Sequence, residues 1–203
     1  MGQRELLTLM SAIMALMALG IDTMLPAFDE IREAFDLGEA SPRPGQVITV
    51  FFMGLAIAQL AWGPIADRFG RKPVLYAGSA IYIVGAAGSA LAPTFELLLL
   101  SRFVWGIGAA GARVVATAII RDRFEGSQMA KAMSQVMAVF MLVPILAPSI
   151  GAGIIAVLPW RSIFWFCLIT ASIITLWSIR MRESLDPANR RPLHLRSTTS
   201  GYI

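Results

Sequence analysis

Two charged side chains stand inside long apolar runs. Asp22, in the string GIDTMLPAF, lies about four residues before the end of one run, and Arg102, in LLLLSRFVW, lies about five residues inside another. An ionisable group within a hydrocarbon layer is costly, so by default it is a functional group, usually a proton relay or a ligand partner. At about 1.5 Å of rise per residue, Asp22 lies about 6 Å and Arg102 about 8 Å below the same face, so the two could pair if their helices are adjacent. Such a pair can act as a coupling switch, because burial favours a protonated carboxyl and a neighbouring guanidinium favours the ionised form. The plainer reading of Asp22 is a residue that caps its helix or snorkels at the interface.

Arg113 follows eleven residues after Arg102. That is roughly 16 Å along a helix axis, too far to serve the same carboxylate. It reads either as a cation that faces an inner cavity and selects substrates, or as a side chain that snorkels or bonds carbonyls. No nucleophile stands with a base and no residues have metal-ligand spacing, which argues against an enzyme, a metal site or an organic cofactor. His194 stands alone in a polar tail, and Cys167, the one cysteine, lies in an apolar run and reads as packing.

The elements that must position these residues are membrane helices. Hydrophobic residues make up 57% of the 203 residues and charged ones 15%, against roughly 25% charged in an average soluble domain. Six apolar runs can each span: Leu6 to Pro26, Gln46 to Trp62, Val74 to Leu91, Leu97 to Ile120, Ala132 to Val157 and Ile163 to Ile179. They reach roughly 25 to 39 Å against a hydrocarbon core of about 30 Å. The first run also has the outline of a signal peptide, but no clear cleavage site follows it. The net charge of +4 comes from cations in short turns and a tail rather than on one face, so it reports topology and not nucleic acid.

Arg4, Arg68, Arg71, Lys72, Arg121, Arg123, Lys131, Arg180 and Arg182, with the tail cations, fall on one side, and Arg32, Arg43 and Arg161 on the other. The positive-inside rule then places both termini in the cytoplasm and makes Ala27 to Gly45 an acidic external loop. Trp62 and Trp160 fit interfacial anchors. The short links at 92–96 and 158–161 require antiparallel neighbours.

The stretch GPIADRFGRKPVL (63–75) carries Asp67, Arg68, Arg71 and Lys72 between apolar runs, with Gly63, Pro64, Gly70 and Pro73 opposing a smooth helix. The chain is therefore expected to turn there. This stretch resembles the signature loop between the second and third helices of the major facilitator superfamily. Six spans and a basic trailing segment resemble the first half of such a transporter. The resemblance implies an all-α integral membrane fold, an amino-terminal bundle of two inverted three-helix repeats over residues 1–185, with 186–203 starting a cytoplasmic central loop. It also implies that Arg71 and Asp122 latch two helices while Asp67 faces a helix of the second half. Asp22 before Pro26 and Arg102 resemble the family's charged positions in helices one and four, but Trp105 stands where a glutamine is often found.

The fifth run contains VPILAPSIGAG, whose Pro144, Pro148, Gly151 and Gly153 predict a kinked, closely packing helix. It resembles the antiporter motif, and Pro144 resembles the Bcr/CflA-type multidrug efflux branch. Met133, Met137 and Met141 share one face, suited to a polyspecific cavity or to lipid. Residues 106–111, GIGAAG, match a dinucleotide fingerprint, but inside an apolar run with no preceding strand they read as close-packing glycines.

What this resemblance implies is proton-coupled efflux of drug-like amphiphiles across an inner membrane, driven by the proton gradient with no cofactor. Lipid, substrate and protons are the partners, together with a carboxy-terminal six-helix half or a second copy. The alternatives are a metabolite or sugar carrier of the same fold and a truncated, non-transporting membrane fragment.

Overall fold

The structure, a computed structural model, describes residues 1–38, 40–186 and 188. His194 and nearly all of the expected central-loop start lie outside the described residues. Among the described residues seven α-helices follow in order: α1 (Gln3–Asp22), α2 (Phe28–Ala34), α3 (Gln46–Phe69), α4 (Arg71–Leu91), α5 (Phe95–Arg123), α6 (Gly126–Ile155) and α7 (Ser162–Ser178). Five of the spans, α1, α3, α4, α5 and α6, are long and apolar enough to cross a membrane, and α7 is an apolar helix of 17 residues. At about 1.5 Å per residue α7 reaches about 26 Å, close to the hydrocarbon thickness. The described residues contain helices and turns and no strand, as the apolar runs require.

α5 is the central post: it packs on α3, α4 and α1, while α1 also meets α6 and α7, and α4 meets α7. Its glycines allow this. A Cβ on Gly106 would stand 2.1 Å from the Phe51 carbonyl oxygen of α3, and one on Gly108 would stand 2.2 Å from the Tyr82 nitrogen of α4. The GIGAAG string is thus a close-packing surface gripped on two sides. Around it lie Phe51, Tyr82, Arg102, Trp105 and Phe164, all fully buried. The end of the bundle where α3 meets α4 carries the clustered cations, and the opposite end carries the acidic segment before α3.

Three expectations are corrected. The turn at 63–75 is narrower than its prolines and glycines suggest, because α3 runs on through Gly63 and Pro64 to Phe69 and the break is confined to Gly70, at φ 101°. Pro73 falls in the first turn of α4, where a missing N–H is harmless. Trp62 and Trp160 are buried, each about 8% exposed, rather than interfacial anchors. For Trp62 the reason is the same: α3 continues past it, and its Nε1 donates to the Ile107 carbonyl at 2.9 Å. The acidic segment is not only a loop. It contains α2, whose Ile31 is buried, and Phe35 packs edge-to-face on Phe95 and Trp160 at 5.8 Å each.

Candidate functional site: a charged latch and a caged arginine

At the basic end, Arg71 joins three helices. Its Nη1 lies 2.6 Å from Asp67 Oδ1 on α3 and its Nε 3.0 Å from Asp122 Oδ2 near the end of α5. The latch expected between Arg71 and Asp122 is present. Asp67 spans the Gly70 break to reach the same guanidinium, so it already has a partner within this chain. Arg71 is 8% exposed at its side chain, which separates this contact from an ordinary solvated surface pair. Arg68 takes no part. It is exposed, with its guanidinium 5.3 Å from the Phe69 ring.

A residue that the motifs did not single out completes the latch. Glu183, five residues beyond α7, accepts the backbone N–H groups of Arg71 and Lys72, both at 3.0 Å. These are the first donors of α4, which no helical carbonyl can satisfy. The accounting then closes: Gly70 N–H donates to the Ala66 carbonyl, Arg71 and Lys72 donate to Glu183, and Pro73 has no donor. Lys72 Nζ donates to the Ile179 carbonyl and Ser184 Oγ donates to Asp122 Oδ2, each at 3.0 Å. Burial by itself would raise the Glu183 carboxyl, but N–H groups of Leu185, Lys72, Arg71 and Ser184 outweigh it and hold the carboxyl below the usual glutamate range.

Toward the acidic end, Arg102 is fully buried, as its apolar surroundings in the sequence suggest. It is not paired with Asp22: no ion pair or hydrogen bond joins them among the described residues. Arg102 Nε instead donates to the Val47 carbonyl at 3.3 Å, and its guanidinium carbon lies 4.6 Å from the Trp105 ring and 4.8 Å from the Phe51 ring. Nη1 and Nη2 are buried without a partner among the described residues. Helical rise fixes depth but not direction around the axis, and direction decides here. Trp105 is the departure that matters: in place of an amide it presents an aromatic face, which holds a cation without accepting a directed hydrogen bond. The indole is itself braced edge-to-face by Tyr82 at 5.2 Å and Phe164 at 5.8 Å, and Tyr82 donates to the Leu16 carbonyl of α1 at 2.8 Å.

Asp22 is the last residue of α1, half-buried, with no hydrogen-bond partner among the described residues. Beside it, α6 closes on the end of α1. A Cβ on Gly151 would stand 1.9 Å from the Thr23 carbonyl oxygen, so this motif glycine is demanded by contact, whereas Gly153 faces open space. Pro144 and Pro148 both lie within α6, which runs unbroken through them. The methionine stripe divides: Met133 and Met137 pack on the core and Met141 is 71% exposed. Arg113 stands about two-thirds of the way along α5, half-buried, with Nη1 3.8 Å from Met17 Sδ and its guanidinium 6.0 Å from the Phe140 ring. Nothing in the sequence marks either neighbour, because each is an ordinary apolar residue in its own run.

Six apolar helices thus carry a charged corner at one end and a buried arginine toward the other. The sequence profile of the Major Facilitator Superfamily matches residues 9–199, and the chain belongs to that superfamily. Multidrug resistance protein MdtL of Shigella dysenteriae is 35% identical over 177 residues, which are 87% of this chain and 45% of that protein. MdtL of Escherichia coli O81, strain ED1a, matches to the same extent. The crystal structure of a D-xylose–proton symporter superposes with a TM-score of 0.78 at 15% identity, covering 89% of this chain and 48% of that one. That last likeness is one of fold. The chain spans a little under half the length of the relatives it matches.

Proposed function

We propose that the chain forms the amino-terminal bundle of a proton-coupled exporter of drug-like amphiphiles in an inner membrane. The basic end and both termini lie in the cytoplasm, and a second six-helix half, or a second copy, completes the cavity. The observation that carries the reading is the unpartnered Asp22 carboxylate at the contact of α1 with α6. A carboxyl with no fixed cation can take up and release a proton as its surroundings change. Arg102, sequestered by Phe51 and Trp105, is a cation held in reserve two turns below the start of α5. The Asp67, Arg71, Asp122 and Glu183 cluster closes the cytoplasmic face in one state and opens in the other. Exchange follows if proton and substrate favour different states.

The relation to MdtL over most of the chain favours efflux over the carriage of a sugar or metabolite. The test is proton movement in everted membrane vesicles containing the protein as the cell makes it. Substrate-dependent alkalinisation of the proton-loaded lumen is expected for the native protein and absent for Asp22→Asn at equal membrane abundance. A pH change of opposite sign would indicate symport, and no change with any substrate would leave a non-transporting fragment as the better reading.

A further inference from the structure

Arg113 poses a charge problem that the rest of the bundle does not solve. It stands ten residues before Arg123, the last residue of α5. That places it about 15 Å along the axis from Arg123 and about 10 Å inside the end of the apolar run at Ile120, within a hydrocarbon layer of about 30 Å. A cation at such a depth faces the bundle interior or a water-filled cavity and takes an anionic or carbonyl partner. Its nearest polar contact is the thioether of Met17 at 3.8 Å, and thioether sulfur is a weak acceptor. The Phe140 ring, 6.0 Å away, lies at the outer limit of a cation–π contact. No carboxylate pairs with it among the described residues. The guanidinium is half-buried where α5, α1 and α6 converge, with an aromatic ring and a thioether beside it.

The approach to it is cationic as well. At the basic end, the crevice between α1 and α6 holds a cavity of about 380 Å³ lined by Gln3, Arg4, Gln128, Lys131 and Gln135 among others, with no acidic residue in its wall. Gln135 stands five residues before Phe140 on α6, about 7.5 Å of rise. Asp22 stands five residues beyond Met17 on α1, on the far side of Arg113 from that cavity. Arg4 and Lys131 thus line the cavity, Arg113 lies deeper beside the same two helices, and Asp22 lies past it.

We propose that Arg113 is a specificity-determining residue and that the substrate is an amphiphilic anion, an aromatic carboxylate in the simplest case. Its acid group takes the Arg113 guanidinium and its ring lies against Phe140 and Met17. This deepens the exporter reading and rests on it, since it names what that exporter carries. The fork of the guanidinium matches a carboxylate in a way that an ammonium does not, and the thioether and ring adapt to varied hydrophobic bodies.

The test uses the full chain in phosphatidylcholine nanodiscs and two isosteric probes, 2-naphthoate and neutral 2-naphthamide, by equilibrium dialysis. The native chain is expected to prefer naphthoate by about tenfold or more, the scale of one charge-assisted pair. Arg113→Gln is expected to abolish the preference while naphthamide binding stays, and Arg113→Lys to restore part of it. Equal binding of the two probes by the native chain, or an undiminished preference in Arg113→Gln, overturns the proposal. If Arg113→Gln does not insert, Phe140→Leu decides: it must weaken both probes alike, and unchanged affinity for both overturns the ring contact. Displacement of naphthoate by added phosphatidylglycerol would assign the site to a lipid headgroup and overturn the substrate. Failure of the exporter reading is separable, because Asp22→Asn alters proton movement and leaves the naphthoate preference intact.

Discussion

The carboxylate of Glu183 accepts the backbone N–H groups of Arg71 and Lys72, residues more than a hundred positions earlier, both at 3.0 Å. It caps α4 with a side chain from the segment that leaves α7. The same segment binds Asp122 through Ser184, so the corner between α3 and α4, the end of α5 and the exit of α7 are one connected unit.

The pH dependence of this cap has a definite sign. The folded carboxyl is held below its ordinary value of 4.5, so the unfolded state binds more protons and stability rises with pH. The contribution is complete above the ordinary glutamate value, erodes as pH falls beneath it and is gone once pH passes the lowered folded value. Glu183→Ala is expected to cost about 1 kcal/mol, the usual worth of a helix cap. Hydrogen exchange should quicken at Arg71 and Lys72 near neutral pH, and the mutant should lack the acid-dependent quickening of the native chain. Unchanged exchange at both amides would show that the cap is not formed.

Gly151 and Gly153 make opposite predictions from opposite faces of one turn of α6. A methyl at Gly151 meets the Thr23 carbonyl oxygen at 1.9 Å, and one at Gly153 meets nothing within 4 Å. Gly151→Ala must push α6 from the end of α1 and is expected to lower stability by about 1–3 kcal/mol. Gly153→Ala is expected to be neutral or to stabilise by up to about 1 kcal/mol through helix propensity. Thermal unfolding in detergent should move the two melting temperatures apart; a shared direction would sink the account.

The cage around Arg102 distinguishes a planar cation from a point charge. Arg102→Lys keeps the charge but loses the stacked guanidinium between Trp105 and Phe51. A loss of about 1–2 kcal/mol is expected, the scale of a desolvated cation–π contact. In a Trp105→Gln background the Lys substitution should cost less, since the face it stacked on is gone. Equal costs in both backgrounds, measured by a double-mutant cycle, would separate Arg102 from the indole.

The apolar runs made the spans legible because length and hydropathy are local properties: Val74 to Leu91 is recovered as Arg71–Leu91, with its first turn hidden by Arg71 and Lys72. The Arg71–Asp122 latch was legible through the resemblance of the 63–75 stretch to a family loop, since the two residues stand 51 positions apart. Glu183 was not, since its bond to Lys72 joins segments 111 residues apart and no periodicity marks a lone carboxylate in a polar segment. Depth along a helix could be counted, and it set Asp22 and Arg102 level; azimuth could not, and it turned Arg102 toward Phe51 and Trp105. Trp62 failed for a related reason: hydropathy marks where an apolar run stops, not where the helix does.

The strap at the exit of α7 also has a mechanical meaning. Ile179 is tied to Lys72, Glu183 to the first two amides of α4, and Ser184 to Asp122. A pull applied at Asp186 is therefore borne by α4 and α5 before it reaches the body of α7.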